Sequence, residues 1–267
     1  MPKVILITGA STGIGRATAD YLVQAGYRVY GTSRYPFKEA VAFQTLILDV
    51  NDETSIQLAV SQLLQRESRI DVLINNAGLG IIGALEEIPE DMIQRVFDTN
   101  VWGLLRVCRA VLPAMRHQGD GLIINVGSIA GRMGLPFRGI YSASKAAVEI
   151  LTETFNIELK PFGVRVCSVL PGDVRTNINA TRLVALNQNG SPYRPYVEDM
   201  NTKVNAEVSN AADPIYIAKT IEKIIHTSSP DIHYIAGPFL QRASLWLKRF
   251  LPSRVFEYLL RETYGMK

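Results

Sequence analysis

The sequence of 267 residues holds few of the side chains that build metal sites or disulfides. Its two cysteines, Cys108 and Cys167, lie in apolar stretches with no partner at metal or disulfide spacing. We therefore expect buried thiols in a reducing compartment. The three histidines form no cluster, so the sequence predicts no metal site.

Strong net charge is also absent. The formal charge is only +3, and no basic run or basic-aromatic stripe accompanies it outside the C-terminal tail. Since nucleic-acid binding needs a dense basic surface, we expect no nucleic-acid partner.

Long hydrophobic runs are missing as well. The first apolar run, Val4–Ile7, is too short for a signal peptide or a membrane span, and no later run approaches spanning length. No linker divides the chain, whose length suits one large domain. We therefore expect a cytoplasmic protein with a single domain over residues 1–267.

What the sequence does contain is an alternation of short apolar runs with longer amphipathic stretches. The apolar runs predict strands at Val4–Thr8, Arg28–Thr32, Gln44–Leu48, Val72–Asn75, Leu122–Val126, Val164–Leu170 and His233–Ala236. The amphipathic stretches predict helices at Gly13–Ala25, Asp52–Glu67, Pro89–His117 (broken), Ser142–Leu159 and Asp213–Thr227.

The strands are continuously apolar, so both faces of their sheet should be buried, as in a parallel sheet. The pattern predicts an α/β fold: a single doubly wound Rossmann-type domain with a parallel seven-stranded sheet flanked by helices. In such a domain the ligand binds beyond the carboxyl ends of the strands.

Two segments stand outside this alternation. Residues 177–212 are polar and aperiodic, which predicts an irregular excursion that is either a substrate lid or a solvated loop. The tail, about 240–264, interleaves apolar and basic residues and is interrupted by Pro252. This pattern predicts amphipathic helices that either make peripheral membrane contact or pack on the body as a pocket cap.

A glycine loop, Thr8–Gly15, follows the first strand and opens the first helix. Glycines let the backbone approach a pyrophosphate closely, and the helix N-terminus offers free N–H groups. The position between strand and helix favours nucleotide binding over a purely structural turn.

The second strand ends without the carboxylate that usually binds the ribose of NAD, and Arg34 stands there instead. A guanidinium at this place would bind a 2′-phosphate through charge-assisted hydrogen bonds. We therefore predict NADP(H) rather than NAD(H) as the cofactor; the alternative is that Arg34 is a solvated surface charge.

Tyr141 and Lys145 are four residues apart at the start of a predicted helix and share one face. An ammonium beside a phenol favours the phenolate, which would suit Tyr141 for general acid–base catalysis. Ser128 follows a strand and would face the same crevice, where its hydroxyl could hold a substrate oxygen. A Tyr–Lys pair is common by chance, so the prediction depends on the glycine loop and Ser128 as well.

Together these segments resemble the short-chain dehydrogenase/reductase superfamily, in its single-domain branch. The matching segments span most of the chain in the expected order: Thr8–Gly15, Asp49–Val50, Asn75–Gly78, Asn100, Ser128, Tyr141–Lys145 and Pro171–Thr176. The resemblance implies an oxidoreductase with four catalytic residues. Tyr141 would be the general acid/base, Ser128 would orient the carbonyl, Lys145 would bind the nicotinamide ribose, and Asn100 would hold a water of a proton relay.

The resemblance also implies which residues contact the cofactor. Asp49 and Val50 would meet the adenine, while Val174 and Thr176 would meet the carboxamide. The full set is Gly9, Ser11, Thr12, Gly13, Ile14, Gly15, Arg34, Asp49, Val50, Asn76, Ala77, Gly78, Tyr141, Lys145, Pro171, Gly172, Val174 and Thr176. One departure from the family is the short stretch after Arg34, which leaves little room for a helix before the third strand.

A closer likeness is to 17-beta-hydroxysteroid dehydrogenase-like and retinol dehydrogenase-like members. It is carried by Asn76–Gly80, Gly131–Phe137 and Leu159–Gly163. It implies hydride transfer between the nicotinamide and a hydrophobic ketone or secondary alcohol that is steroid-, retinoid- or lipid-like. The alternatives are reduction of a lipid ketone, such as acyl-dihydroxyacetone phosphate or ketosphinganine, and a non-catalytic NADP(H)-binding regulator. Family habit further implies a homodimer or homotetramer.

Overall fold

The computed structural model describes residues 1–175, 181–186, 190–209 and 211–266. Its strands are, in chain order, β1 (Val4–Ile7), β2 (Arg28–Ser33), β3 (Gln44–Ile47), β4 (Val72–Asn75), β5 (Ile81–Ile82), β6 (Gly121–Val126), β7 (Val164–Pro171), β8 (Leu183–Val184) and β9 (His233–Ala236). Its α-helices are α1 (Gly13–Gln24), α2 (Glu53–Glu67), α3 (Glu90–Phe97), α4 (Gly103–Gln118), α5 (Gly139–Glu158), α6 (Arg194–Ser209), α7 (Ile215–His226), α8 (Phe239–Phe250) and α9 (Ser253–Tyr264).

Within these residues, seven strands form one parallel sheet in the order β3-β2-β1-β4-β6-β7-β9. The chain therefore turns from β1 outward to β3 and returns to place β4 beside β1. This order confirms the predicted doubly wound α/β fold. A small parallel pair of β5 and β8 lies outside the main sheet, and the sequence analysis did not foresee it.

Alternate strand residues supply two hydrophobic cores, one on each face of the sheet. Leu6 and Leu73 belong to the core covered by α2, α4 and α5, while Ile5 and Ile74 belong to the core covered by α1 and α7. All four side chains are fully buried, as expected for strands with helices on both sides.

The expectation of an irregular excursion at 177–212 is wrong for residues 194–209, which form α6. Val197, Met200, Val204 and Val208 lie at helical spacing and pack into a separate small core. Because the residues between them are polar, the helical periodicity of these four apolar positions was missed in the sequence. Pro195 lies in the first turn of the helix, where proline is tolerated because no intrahelical N–H bond is lost. Residues 176–180, 187–189 and 210 lie outside the described residues.

The predicted break in the helix at 89–117 is confirmed. A π-helical turn, Asp98–Trp102, separates α3 from α4 and carries the buried Asn100. Such turns are rare and occur mostly where a side chain is displaced for function.

Both cysteines are buried, as predicted. Burial raises the pKa of the Cys108 and Cys167 thiols to about 12, so neither is a thiolate at neutral pH. None of the helices in the described ranges is long and apolar enough to cross a bilayer.

Helix α5 buries a polar face against the sheet. Thr152 accepts a hydrogen bond from the Asn125 amide at 2.9 Å, and that amide's oxygen accepts one from Asn75 at 3.0 Å. One turn earlier, Glu149 is 3% exposed and accepts hydrogen bonds from Arg132 and from Ser168, each at 3.0 Å. Buried polar groups tolerate few arrangements because each lost partner is costly, so these contacts fix the rotation of α5 on the sheet.

His233 on β9 completes this network. Its Nδ1 lies 3.0 Å from a Glu149 oxygen and its Nε2 lies 2.9 Å from Glu153 Oε1. The hydrogen bond with Glu149 raises the pKa of His233 against the opposing effect of burial, and Glu153 adds to the rise. Arg132, which also faces Glu149, lowers it.

The raised pKa gives the free energy of unfolding a defined pH dependence. The contribution of protonated His233 should be complete below the ordinary histidine value of 6.5 and should be lost as pH rises through the folded-state pKa. His233→Gln should abolish this loss and should lower stability at low pH by about 1.5–3 kcal/mol, the range for a hydrogen bond to a charged group. Urea unfolding across pH 5.5 to 8.5 (about three units, chosen to bracket the histidine range) measures it. His117→Gln, on the surface, is the control; an unchanged pH profile in His233→Gln would contradict the network.

Candidate active site

The glycine loop and the end of β4 form one hydrogen-bonded unit. The Asn76 side-chain amide donates to the carbonyl oxygens of Thr8 and Gly9, both at 3.0 Å. In return, the Thr8 hydroxyl accepts from the backbone N–H groups of Asn76 and Ala77, at 3.0 and 3.1 Å. Two predicted cofactor segments are thereby brought together at the carboxyl ends of β1 and β4.

Gly9 and Gly15 make this close approach feasible. Gly9 has φ +67°, and a Cβ there would lie 3.0 Å from Ala77 Cα. A Cβ at Gly15 would collide with the Gly9 carbonyl oxygen and the Asn76 amide. The loop is thus shaped as a backbone cradle, the form that suits a pyrophosphate.

The first turn of α1 is open to an anion. Ser11 and Thr12 are exposed, Gly13 has φ +59°, and the turn that continues through Ile14 holds no acidic residue. The N-terminal N–H groups and the helix dipole favour negative charge here.

The predicted adenine side lies beyond β2 and β3. Arg34 follows β2 and is exposed, with its guanidinium carbon 5.8 Å from the centre of the Tyr35 ring. Asp49 follows β3, where its carboxylate accepts from Asn51 N at 2.9 Å. Val50 is buried and packs against Gly103 at the start of α4, so closely that a Cβ at Gly103 would lie only 2.8 Å from the Val50 side chain. As expected from the short connection, the described residues 34–43 contain no helix.

Asn100 clamps the loop after β4 to helix α5. Its Oδ1 accepts from Leu79 N at 2.7 Å, while its Nδ2 donates to Leu79 O at 3.0 Å and to Ser144 Oγ at 2.9 Å. The π-helical turn aims the side chain inward, and its burial makes these bonds hard to exchange. Asn100 and Lys145 both border Gly78: a Cβ there would lie 3.4 Å from Asn100 Oδ1 and 3.6 Å from Lys145 Nζ.

Tyr141 and Lys145 lie on the first two turns of α5, on one face. The Lys145 ammonium lies 6.0 Å from the centre of the Tyr141 ring and donates to Val126 O at 2.8 Å. Ser128 begins a 3-10 turn, where its hydroxyl accepts from Ala130 N at 3.1 Å and remains 8% exposed. The lysine thus connects the helix of Tyr141 to the strand that leads to Ser128.

The segment that follows β7 turns back toward β9. Pro171 ends β7, and Gly172 N donates to Ala236 O at 2.9 Å. Val174 is buried and forms a bridge to Ala212, so its side chain packs into the core. Thr176, a predicted cofactor contact, lies outside the described residues.

An apolar cluster surrounds Tyr141. Buried Ala130, Met133 and Leu135 form its base, and partly buried side chains from the C-terminal helices cover it: Leu245, Phe256, Leu260 and Tyr264. Met133 and Leu135 therefore serve both core packing and the wall beside Tyr141. The tail helices thus pack on the body beside Tyr141.

Sequence analysis missed the charged residues at the rim. Arg138 lies with its guanidinium 5.7 Å from the centre of the Tyr141 ring, a cation–π distance. Burial lowers the pKa of Arg182 to about 10, and the charge of Arg138 adds to this; Arg182 still remains charged at neutral pH. Arg138 precedes Tyr141 by three residues at a helix start, a spacing that could have revealed it. Arg182 has no such local signal.

Comparison with known proteins gives a consistent result. The family model described as short chain dehydrogenase matches residues 3–185. The chain is 39% identical to the 3-ketodihydrosphingosine reductase of Bacteroides thetaiotaomicron over 100% of this chain and 99% of that protein. It is 40% identical to the human 17-beta-hydroxysteroid dehydrogenase type 1 over 65% of this chain and 57% of that protein.

Solved structures agree in fold. A short-chain dehydrogenase from Streptomyces avermitilis has a TM-score of 0.83 at 33% identity, covering 99% of this chain and 98% of that one. A Burkholderia phymatum short-chain dehydrogenase/reductase in complex with NAD has a TM-score of 0.81 at 27% identity, covering 93% of each chain. A Burkholderia cenocepacia short-chain dehydrogenase in complex with NADP has a TM-score of 0.76 at 26% identity, covering 97% of each chain.

Substitution at Gly15 tests the backbone cradle. Gly15→Ala should cost about 1–3 kcal/mol of stability, because the new methyl group meets a carbonyl oxygen and an amide that cannot both move aside. Gly134→Ala is the matched control, since a Cβ there meets nothing within 4 Å. Urea unfolding of both variants measures the difference; equal stability of the two would mean that the loop is not closely packed.

Proposed function

The chain belongs to the short chain dehydrogenase family, oxidoreductases of CH–OH and C=O groups that use a nicotinamide cofactor, and we propose that this member is an NADP(H)-dependent reductase of hydrophobic ketones. The observation that carries the proposal is the position of Tyr141: its ring packs in an apolar cluster, one helical turn from a buried lysine. The reverse reaction, oxidation of the corresponding secondary alcohol, would use the same groups.

The catalytic roles are assigned as follows. The bound nicotinamide supplies the hydride. Ser128 holds the substrate oxygen, and Tyr141 donates a proton to that oxygen as charge develops on it. Lys145 binds the nicotinamide ribose and places its ammonium 6.0 Å from the centre of the Tyr141 ring. Asn100 positions α5 through Ser144 and holds the water through which the proton is replaced.

The cofactor would lie along the carboxyl ends of the strands. The glycine cradle and the first turn of α1 would take the pyrophosphate, through Gly9, Ser11, Thr12, Gly13, Ile14 and Gly15. Asp49 and Val50 would border the adenine, Asn76, Ala77 and Gly78 would line the centre, and Pro171, Gly172, Val174 and Thr176 would lie beside the nicotinamide. Arg34 would bind the 2′-phosphate, which makes NADP(H) the preferred cofactor.

The substrate would be a lipid ketone in preference to a steroid or retinoid. One relative, matched over 99% of its length, bears the name 3-ketodihydrosphingosine reductase, whereas the match to the hydroxysteroid dehydrogenase spans 57% of that enzyme. The apolar cluster beside Tyr141, with the cations Arg138 and Arg182 near the same ring, suits a long chain next to a polar head group.

The assembly would be a homodimer or homotetramer formed through α4 and α5. Ile150 and Ile157 on α5 are 62% and 72% exposed and, seven residues apart, lie on one face. Trp102, before α4, is 52% exposed. Burying such side chains against a second copy would remove them from water.

The proposal is tested with a homologous series of ketones that differ only in chain length. With NADPH, kcat/KM should rise by about fourfold for each methylene that becomes buried, since each is worth about 0.8 kcal/mol. The rise should stop where the chain leaves the pocket. A preference for small polar carbonyls would contradict the proposal, and the absence of any turnover with bound NADPH would favour the non-catalytic regulator.

Replacing Tyr141 by Phe removes one hydroxyl and little volume. Turnover should fall by about 10²–10⁴-fold, the usual contribution of a positioned acid–base group, while NADPH binding is retained. Steady-state rates and a fluorescence titration of NADPH measure the two effects. Tyr216→Phe, at an exposed tyrosine, is the matched control. Near-normal turnover in Tyr141→Phe would exclude the assigned role.

Arg34 should set the choice between cofactors. A charge-assisted hydrogen bond is worth about 1.5–3 kcal/mol, which predicts a roughly 10- to 150-fold preference for NADPH over NADH. Arg34→Asp should shrink this preference strongly or reverse it, because the carboxylate repels the phosphate and accepts bonds from the ribose hydroxyls. Arg34→Ala should have a smaller effect. The values of kcat/KM for both cofactors at one ionic strength decide this, and equal use of both by the wild type would show that Arg34 is a solvated surface charge.

A further inference from the structure

The two C-terminal helices, α8 and α9, are here called the cap helices. One of their faces, the inner face, packs on the rest of the domain. Leu245, Phe256 and Leu260 point to the body and pack on the cluster around Tyr141. Polar contacts fix the same face: Asp173 N donates to Gln241 Oε1 at 3.0 Å, and Lys248 Nζ donates to Arg132 O. This inner face covers the apolar side chains beside Tyr141.

The opposite face is apolar too, and it faces solvent. Trp246 is 60% exposed, Phe250 71% and Tyr258 61%, while Leu247, Val255 and Leu259 are also exposed. The rings of Trp246 and Phe250 stack on each other, with centres 5.8 Å apart. Single exposed apolar side chains are common on folded domains, but six large ones on two neighbouring helices, two of them stacked, indicate a surface that has a partner.

Cations border this outer face. Residues 239–266 contain five basic and two acidic side chains, and all of them are exposed. Arg242, Trp246, Arg249 and Phe250 recur at helical spacing, so they share one side of α8. On α9, Arg254 and Arg261 lie beside Tyr258 in the same way. Aromatic side chains flanked by arginine are the composition that enters the headgroup region of an anionic bilayer.

We propose that the outer face of the cap helices docks on the surface of an anionic lipid bilayer, so that the pocket exchanges its apolar substrate with the membrane. The exchange of substrate with the membrane rests on the proposed function, whereas the docking of the cap helices on the bilayer does not. A second copy of the chain fits this face less well, because a two-fold contact would bring the same arginines together.

The structure also connects the cap to the reacting centre. Arg138 lies over the Tyr141 ring, and its charge also acts on Tyr264 at the end of α9: burial raises the pKa of Tyr264, and Arg138 lowers it. Lys203 on α6 donates to Tyr264 O at 3.0 Å. Lifting the cap toward a membrane would therefore open the wall beside Tyr141 and would loosen the arginine that lies on its ring.

Docking on the bilayer is tested by co-sedimentation of the full chain, without substrate or cofactor, with two kinds of vesicle. One kind is phosphatidylcholine alone and the other adds phosphatidylserine. Binding should be at least tenfold tighter to the anionic vesicles and should weaken in high salt, since each basic residue near such a surface contributes about fivefold. In a Trp102→Phe background, Trp246 is the only tryptophan, and its emission should shift to shorter wavelength on binding.

Two double variants separate the apolar and the charged contributions. Trp246→Ser with Phe250→Ser, and Arg249→Glu with Arg254→Glu, should each reduce binding to anionic vesicles at least tenfold. All four side chains are exposed, so folding should be little affected. Leu58→Ser with Arg66→Glu is the matched control, an exposed apolar and basic pair on α2, and it should bind as the wild type does.

Failure of docking and failure of the proposed function give different experimental results. Lack of binding by the wild type at low salt, or binding by either double variant that is as tight as that of the wild type, overturns the proposal. Light scattering that shows the Trp246 and Phe250 variant to have a smaller oligomer, without vesicle binding by the wild type, assigns the face to a second copy and also overturns it. Vesicle binding by a protein that reduces no ketone leaves docking standing while the proposed function fails. If both hold, the double variants should keep kcat/KM for a short ketone in solution and lose it for a long-chain ketone held in vesicles.

Discussion

The buried polar face of α5 is the constraint on which the site depends. Ser144, Lys145, Glu149 and Thr152 are all nearly inaccessible, and each has a hydrogen-bond partner outside α5: Asn100 in the π-helical turn, Val126 and Asn125 on β6, and Ser168 on β7. Apolar packing alone would allow a helix to slide or rotate at little cost, whereas these hydrogen bonds would be broken by either motion. Tyr141 precedes Lys145 by one turn, so its position follows from the same contacts.

The strands and most of the helices could be predicted because local pattern decides them. Short apolar runs such as Val4–Ile7 and Val72–Ile74 have no alternative to a buried strand once helices flank them. The glycine loop and the Tyr141–Lys145 pair are local too. Each lies within one short segment, so the sequence separation of its residues determines how they are arranged in space.

The rest of the site arises from contacts between distant segments. Arg182 borders the site through β8 and through the neighbouring Asn205, 23 residues away in the chain. Helix α6 was missed because its apolar stripe is thin, and it becomes stable by packing on Phe137 and Tyr193 as part of a small core of its own. Phe137 adopts φ +57°, a strained conformation that a bulky residue reveals only in the folded chain.

The sheet order also sets the sequence in which the molecule can be completed during synthesis. β1 and β4 lie side by side, so the cofactor half, with its glycine cradle and the end of β4, needs only the first part of the chain. β9 pairs with β7, and Gln241 just beyond it accepts a hydrogen bond from Asp173 N, so the substrate half forms only after residues 233–241 have been synthesised. Domains form from the N-terminus as they emerge. A chain truncated before α8 would thus keep a formed nucleotide cradle but would expose the apolar side chains beside Tyr141. We expect such a truncation to reduce solubility before it unfolds the cofactor half.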